Sequence, residues 1–223
     1  MRRVVGVLAS LALALPMATW ADTITTTNQT GTIAITDPNG GLGTIGMSTI
    51  SSKGSQLTDF ALGGFSASST KGTGLGSVSF TTGALSSGSV SGGGIFAGGG
   101  FFSITGQGKW LAGLPGSPKG EAMLFNGSFV GPVDWTLDNK VGPRETFTLT
   151  GSLAGTLYNG TRVTGMTTQN FYTYNGQLIA GIGHITPGGT TLSSAVPEPG
   201  TLVLFGTGLV GIAGMFRRKL IGS

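Results

Sequence analysis

The chain has no cysteine, a single histidine, and only twelve basic and eight acidic residues among its 223. Without cysteine there is no thiol nucleophile, no disulfide, no zinc-thiolate centre and no iron–sulfur cluster. One histidine leaves no multi-histidine metal site. What is abundant is glycine, with 43 residues, where the usual share is about 7%. That argues against a helical bundle or an ordinary α/β enzyme, because a glycine inside a helix costs about 1 kcal/mol relative to alanine.

The formal charge of +4 is an effect of the ends. Arg2 and Arg3 open the chain, and Arg217, Arg218 and Lys219 stand near its close. Between residues 22 and 199 there are seven basic and eight acidic side chains, a net charge of −1. A nucleic-acid footprint needs lysine and arginine clustered on one face, and this body has no such cluster. Nucleic acid is therefore not expected as a partner.

Both ends read as targeting segments. Residues 1–21 carry a positive start, an apolar run over Val4–Leu15 too short to span a bilayer, a break at Pro16, and small residues before a cleavage point between Ala21 and Asp22. That order is the pattern of a secretory signal peptide. At the other end, Val196, Pro197, Glu198 and Pro199 lie in a segment that two prolines keep from being helical throughout. Residues 200–216 follow without a charge, and Arg217, Arg218 and Lys219 come next. A helix of the sixteen residues 201–216 reaches about 24 Å, short of a ~30 Å hydrocarbon core, and the basic stems can snorkel to make up part of the difference. The basic cluster sets this tail on the cytoplasmic side by the positive-inside rule.

A Pro-Glu-Pro motif, a transmembrane helix and an arginine-rich tail, in that order, resemble the PEP-CTERM sorting signal. The resemblance covers residues 196–221 and implies several partners. These are signal peptidase, an exosortase-like membrane peptidase of a Gram-negative bacterium, and the inner membrane before processing. It also implies cleavage near the motif and delivery of the body to the cell surface or an exopolysaccharide matrix. An irregular peptide beside a weak anchor is accessible to such a peptidase, whereas a strand within a folded body is not.

The body, residues 22–195, reads as all-β. Phe147, Leu149, Leu153 and Leu157 alternate with Thr146, Thr148, Thr150, Ser152 and Thr156, which predicts a strand with one buried face and threonine toward water. Asn159-Gly160 and Asn175-Gly176 predict hairpins of type I′. Val133, Trp135 and Leu137 alternate in the same way, next to Gly131-Pro132. Leu75–Thr105 is a series of short apolar nuclei separated by glycine and serine, with Gly-Ser-Val at 76–78 and again at 88–90. The spacing favours an antiparallel β-sandwich or jelly roll, with a β-solenoid as the alternative.

Catalytic constellations are hard to assemble from these residues. The G-x-G-x-x-G match at Gly41–Gly46 arises readily by chance in so glycine-rich a chain, and no helical pattern follows it, so it reads as a turn. Alternation puts His184 on the same face as Leu178, Ala180 and Ile182, which suggests a partly buried, hydrogen-bonded ring, and no G-x-S-x-G elbow accompanies it. Asp134 and Asp138 share a strand face ~13 Å apart, beyond the ~5–9.5 Å that paired glycosidase carboxylates use. Glu121 or Glu145 could approach from another strand to close that gap. Asp37-Pro38-Asn39-Gly40 reads as a turn, and Asn28, Asn126 and Asn159 stand in glycosylation-type sequons. No catalytic residue, metal or cofactor is expected. The sequence thus points to a non-enzymatic exported protein. A carbohydrate-binding module using Trp110, Trp135, Tyr172 and Tyr174 is the second reading, and a two-carboxylate glycan hydrolase the third.

Overall fold

A computed structural model describes residues 23–37, 44–69, 74–114, 116, 120–174 and 183–194. The segments read as signal peptide and sorting signal lie outside these. Fourteen strands are present among the described residues, all paired antiparallel. They are β1 (Thr23–Gln29), β2 (Thr32–Thr36), β3 (Thr49–Lys53), β4 (Ser55–Leu62), β5 (Phe65–Ser68), β6 (Gly76–Thr81) and β7 (Leu85–Ser89). After these come β8 (Gly93–Phe96), β9 (Gly99–Gln107), β10 (Glu121–Val141), β11 (Arg144–Leu157), β12 (Arg162–Tyr174), β13 (Gly183–Ile185) and β14 (Gly188–Ser194).

The pairings resolve the fourteen pieces into eight bent staves. β1 and β2 form the first, and both pair with β3 and β4, the second (Ile24↔Leu62, Thr36↔Thr49). β5, β6 and β7 make the third, pairing first with β4 and then with the fourth, β8 and β9. β10, β11 and β12 are the fifth, sixth and seventh, and β13 with β14 is the eighth. The eighth then pairs with the first, Thr23↔Ser193 at one end and Gly183↔Ile33 at the other. Each stave neighbours the next in sequence and the last closes on the first, so the body is an eight-stranded up-and-down barrel.

This corrects the expected sandwich or jelly roll. All-β and antiparallel are right, but a sandwich keeps two sheets apart, and here the seam between β14 and β1 joins the ends into one wall. The solenoid fails as well, because the Gly-Ser-Val segments lie in the antiparallel β6 and at the end of β7 rather than in stacked parallel coils.

The lumen is filled by aromatic rings. Phe80 on the third stave meets Phe171 on the seventh with centroids 6.4 Å apart, and Phe129 on the fifth at 6.3 Å. Phe102 and Phe125 extend the cluster one way, Trp135 and Phe147 the other. All seven are almost fully buried. Each buried ring of this size contributes up to about 3 kcal/mol relative to exposure, and offset or edge-to-face pairing adds about 0.5–1.5 kcal/mol per pair. At one end a 3₁₀ turn, Lys109–Gly113, packs Leu111 against the interior. Along β1 Thr23, Thr25 and Thr27 face solvent while Ile24, Thr26 and Asn28 face in, and along β11 Thr146, Thr148 and Thr150 face out, although Phe101, Met123 and Met166 are also exposed. These two strands thus lack the outward apolar face of a membrane-spanning barrel. Among the described residues no helix is long and apolar enough to cross a membrane.

The abundant glycine now has a use. The staves bend where glycine relieves the backbone, as at Gly131 (φ 97), in a bulge where β10 passes from β9 to β8. Elsewhere glycine lets walls approach. A Cβ on Gly165 of β12 would overlap the carbonyl oxygen of Thr191 on β14, while one on Gly64 in the β4–β5 turn would meet nothing. Gly165→Ala should therefore cost about 1–3 kcal/mol through forced strand displacement. Gly64→Ala should be neutral or slightly stabilising, by at most about 1 kcal/mol. Urea midpoints of the two variants test this, and equal midpoints would refute the close-approach reading.

The β11–β12 hairpin falls where Asn159-Gly160 places it, with a different turn. Only Gly160 has positive φ (82), Gly160 N–H donates to Leu157 O at 2.9 Å, and Leu157 N–H donates to Thr161 O at 2.9 Å. That is a three-residue loop with glycine in the left-handed position, not type I′. A second hairpin, Val141-Gly142-Pro143-Arg144, has Gly142 at φ 57 in the first central position of its two-residue turn.

Candidate functional site: an outward aromatic and cationic cluster

Four side chains from three adjacent staves meet near the β10–β11 turn end of the barrel. Tyr172 faces outward because its neighbours Phe171 and Thr173 face in. Cross-strand register sets His184 of β13 directly opposite it, and the rings stack with centroids 5.1 Å apart at 27°. From β11 on the other flank, the Arg144 guanidinium lies 4.8 Å from the Tyr172 ring centre, a cation–π distance. Tyr174, two residues along β12 and therefore on the same side, meets Tyr172 edge-on at 5.8 Å and is 49% exposed. Among the described residues none of these four side chains has a hydrogen-bond partner for its polar tip. A surface groove lined by Asn139, Val141, Arg144 and Thr146 adjoins the cluster.

His184 is partly buried, as expected, but on the outer face, opposite in direction to Gly183 and Ile185, and it is stacked, with no hydrogen bond among the described residues; Leu178, Ala180 and Ile182 lie outside these. Two of the four expected aromatics also fall elsewhere. Trp135 is in the lumen, its Nε1 donating to Val90 O at 2.7 Å. Trp110 packs on Phe60 and Phe65, and its Nε1 donates to Leu75 O at 3.0 Å and Gln107 O at 2.7 Å. Tyr172 and Tyr174 alone remain on the outside. Arg144, whose place beside Tyr172 no local pattern announces, joins them.

The carboxylates do not converge. Asp134 faces out opposite Thr150, and Asp138 accepts a 2.6 Å hydrogen bond from Thr148 Oγ1. Glu121 is at the far end of β10. Glu145 turns inward, where its Oε1 pairs with Lys140 at 2.5 Å and its Oε2 has no partner among the described residues. Inward Glu145 and outward Asp134 and Asp138 are thus on opposite faces of the wall. Asp59, on the outer side of β4, accepts hydrogen bonds from Ser68 Oγ at 2.6 Å and from Thr27 Oγ1. Those bonds, the one from Ser68 foremost, hold its carboxyl below the usual range. Among the described residues no group of three or more acidic or histidine side chains could hold a metal.

Of the three sequons, Asn28 is fully buried and inaccessible, Asn126 is exposed on β10, and the Asn159 side chain accepts a turn hydrogen bond from Thr161 N–H at 3.0 Å. Gly46, last of the G-x-G-x-x-G run, sits in a turn with φ 86, as expected; Gly41 and Gly43 lie outside the described residues. So do Ala21 and Asp22, the motif residues Val196, Pro197, Glu198 and Pro199, and the basic Arg217, Arg218 and Lys219.

Residues 195–219 match the model of the PEP-CTERM protein-sorting motif. The chain carries a PEP-CTERM sorting signal. The match spans the Pro-Glu-Pro residues, the uncharged run and the basic cluster together, and a PEP-CTERM signal implies an exported protein processed at the membrane by an exosortase-like system. No curated protein and no solved structure matches the chain.

Proposed function

We propose that the barrel is a non-enzymatic protein of the cell surface or exopolysaccharide matrix, and that it holds glycan through Tyr172, Tyr174, His184 and Arg144. The observation that carries this reading is the cluster itself. Three adjacent staves converge two tyrosines, an imidazole and a guanidinium on the outer wall, with none of their polar tips hydrogen-bonded among the described residues. Aromatic rings with polar tips suit sugars, which present both C–H faces and hydroxyls. A barrel wall positions such a cluster more firmly than a loop does. A lumen packed with phenylalanine suits a structural or adhesive role.

The test uses the processed protein purified from its own host. Intact mass should show a species starting at Asp22 and ending near Val196–Gly200, recovered outside the inner membrane. That species should be retained on the host's extracellular polysaccharide, and Tyr174→Ala should weaken retention about 3- to 10-fold without moving the melting midpoint, the size of one aromatic contact. A membrane-bound species that keeps Arg217–Lys219 would overturn the delivery step. Absence of retention by the unmodified protein would overturn the glycan reading.

A further inference from the structure

We infer that the glycan bound at this face carries carboxylate groups, and that Arg144 and His184 are the groups that select them; this rests on the glycan reading above. Tyr172 is approached by Arg144 from the β11 side and by His184 from the β13 side. A ring flanked in this way is less a stacking surface for sugar than a support that fixes two nitrogen donors. The free stacking surface is Tyr174.

Among the described residues Arg144 also has no carboxylate partner of the kind an exposed arginine usually finds. Its sequence neighbour Glu145 is turned into the lumen and bound to Lys140, and Asp138 is taken by Thr148 Oγ1. Among the described residues no acceptor is bonded to the guanidinium. A guanidinium held over an aromatic ring at 4.8 Å, with no ion-pair partner among the described residues, is pre-organised for a planar, two-oxygen anion, because its parallel N–H groups match a carboxylate. Beside it, the groove of Asn139 and Thr146 offers an amide and a hydroxyl for sugar hydroxyls. The charge is local, since the body is near neutral overall, so the preference arises from this site and not from a general attraction to polyanions.

The processed protein should be passed over immobilised polygalacturonate, a polyuronate, and over immobilised dextran, a neutral glucan, at low and moderate salt. Stronger retention on polygalacturonate, weakened by salt, is the expected result. Arg144→Gln should reduce that retention about tenfold, the loss expected when one charge-assisted bidentate contact disappears. His184→Gln should reduce it by less. Arg144→Lys should recover part of it, since the charge returns without the fork. Lys109→Gln, at the far end of the barrel, should change nothing, and melting midpoints certify that each variant is folded. Equal retention on both glycans, indifferent to Arg144→Gln, would overturn the inference and leave the glycan reading intact. Retention on neither, with none on the host polysaccharide, would overturn both. Equal or tighter retention on immobilised DNA would overturn the inference by showing attraction to polyanions in general.

Discussion

Gln169→Leu is expected to destabilise the barrel by about 2–5 kcal/mol, since it strands buried polar groups that cost about 1–3 kcal/mol each. Gln169, on the seventh stave, faces the lumen with no exposed surface, and so does Asn28 on the first. Their amides pair reciprocally: Asn28 Nδ2 donates to Gln169 Oε1 at 2.8 Å, and Gln169 Nε2 donates to Asn28 Oδ1 at 3.1 Å. The bond passes over Gly188 of the eighth stave, where a Cβ would overlap the Gln169 amide. Asn28 also donates to Ser55 Oγ at 2.7 Å, and Gln169 to Thr167 Oγ1 at 2.9 Å, which in turn shares a 2.9 Å bond with Thr190. The network thus ties together the two staves that close the barrel and their flanking neighbours. A two-residue slip along this seam keeps every side chain on its face but separates the amides, so the pair fixes the register that hydrophobicity leaves open. Asn28→Leu should cost a similar amount, and the double variant should cost less than the sum by about 1–3 kcal/mol, because each single change strands the other's amide. Denaturant titrations of the cycle decide this, and strict additivity would exclude the pair as a coupled unit.

That seam also shows where sequence reading stops. Period-2 alternation exposes the β11 strand plainly, since its phenylalanine and leucines fall on one face and its threonines on the other. Asn159-Gly160 marks the next hairpin because glycine is the residue a left-handed turn position takes most readily. The sorting signal is legible because its parts are contiguous. Closure is different in kind. β1 and β14 are separated by most of the chain, and beside one apolar pair, Ile24 and Leu192, the inward residues at their seam are the polar Thr26, Asn28 and Thr190, with Thr167 and Gln169 of β12 next to them. Polar side chains at alternate positions look the same in sequence whether they face water or a lumen. A chain of strands with a hidden seam reads as a sandwich. The outer cluster is obscured for the same reason, because Arg144, Tyr172 and His184 meet only when three staves are in register. Glu145 lies within the best-read strand, yet one-sequence alternation gives no reason to expect a carboxylate among its buried positions.

Trp135→Ala should be the most damaging aromatic truncation, at about 3–5 kcal/mol. The indole is 1% exposed, stacked on Phe147 at 4.7 Å and tilted against Phe171 at 5.4 Å. Its loss removes ring burial, leaves a cavity between the fifth, sixth and seventh staves, and frees Val90 O. Trp135→Phe keeps much of the ring, so the expected cost falls to about 1–3 kcal/mol, chiefly the stranded carbonyl and the smaller volume. For a body of this size each kcal/mol lowers the melting temperature by about 2–4 °C. The alanine variant should therefore melt about 6–20 °C below the parent, with the phenylalanine variant between them. Below its own midpoint, Trp135→Ala should still hold glycan as the parent does, because the indole touches nothing on the outer wall. Tyr174→Ala should do the opposite, losing retention while its melting curve stays with the parent. Two aromatic side chains, on the fifth and seventh staves and separated along the chain by the whole of β11, are in this way assigned to separate tasks by the face on which each strand presents them. A Trp135→Ala variant that melts with the parent yet releases glycan would reverse that assignment.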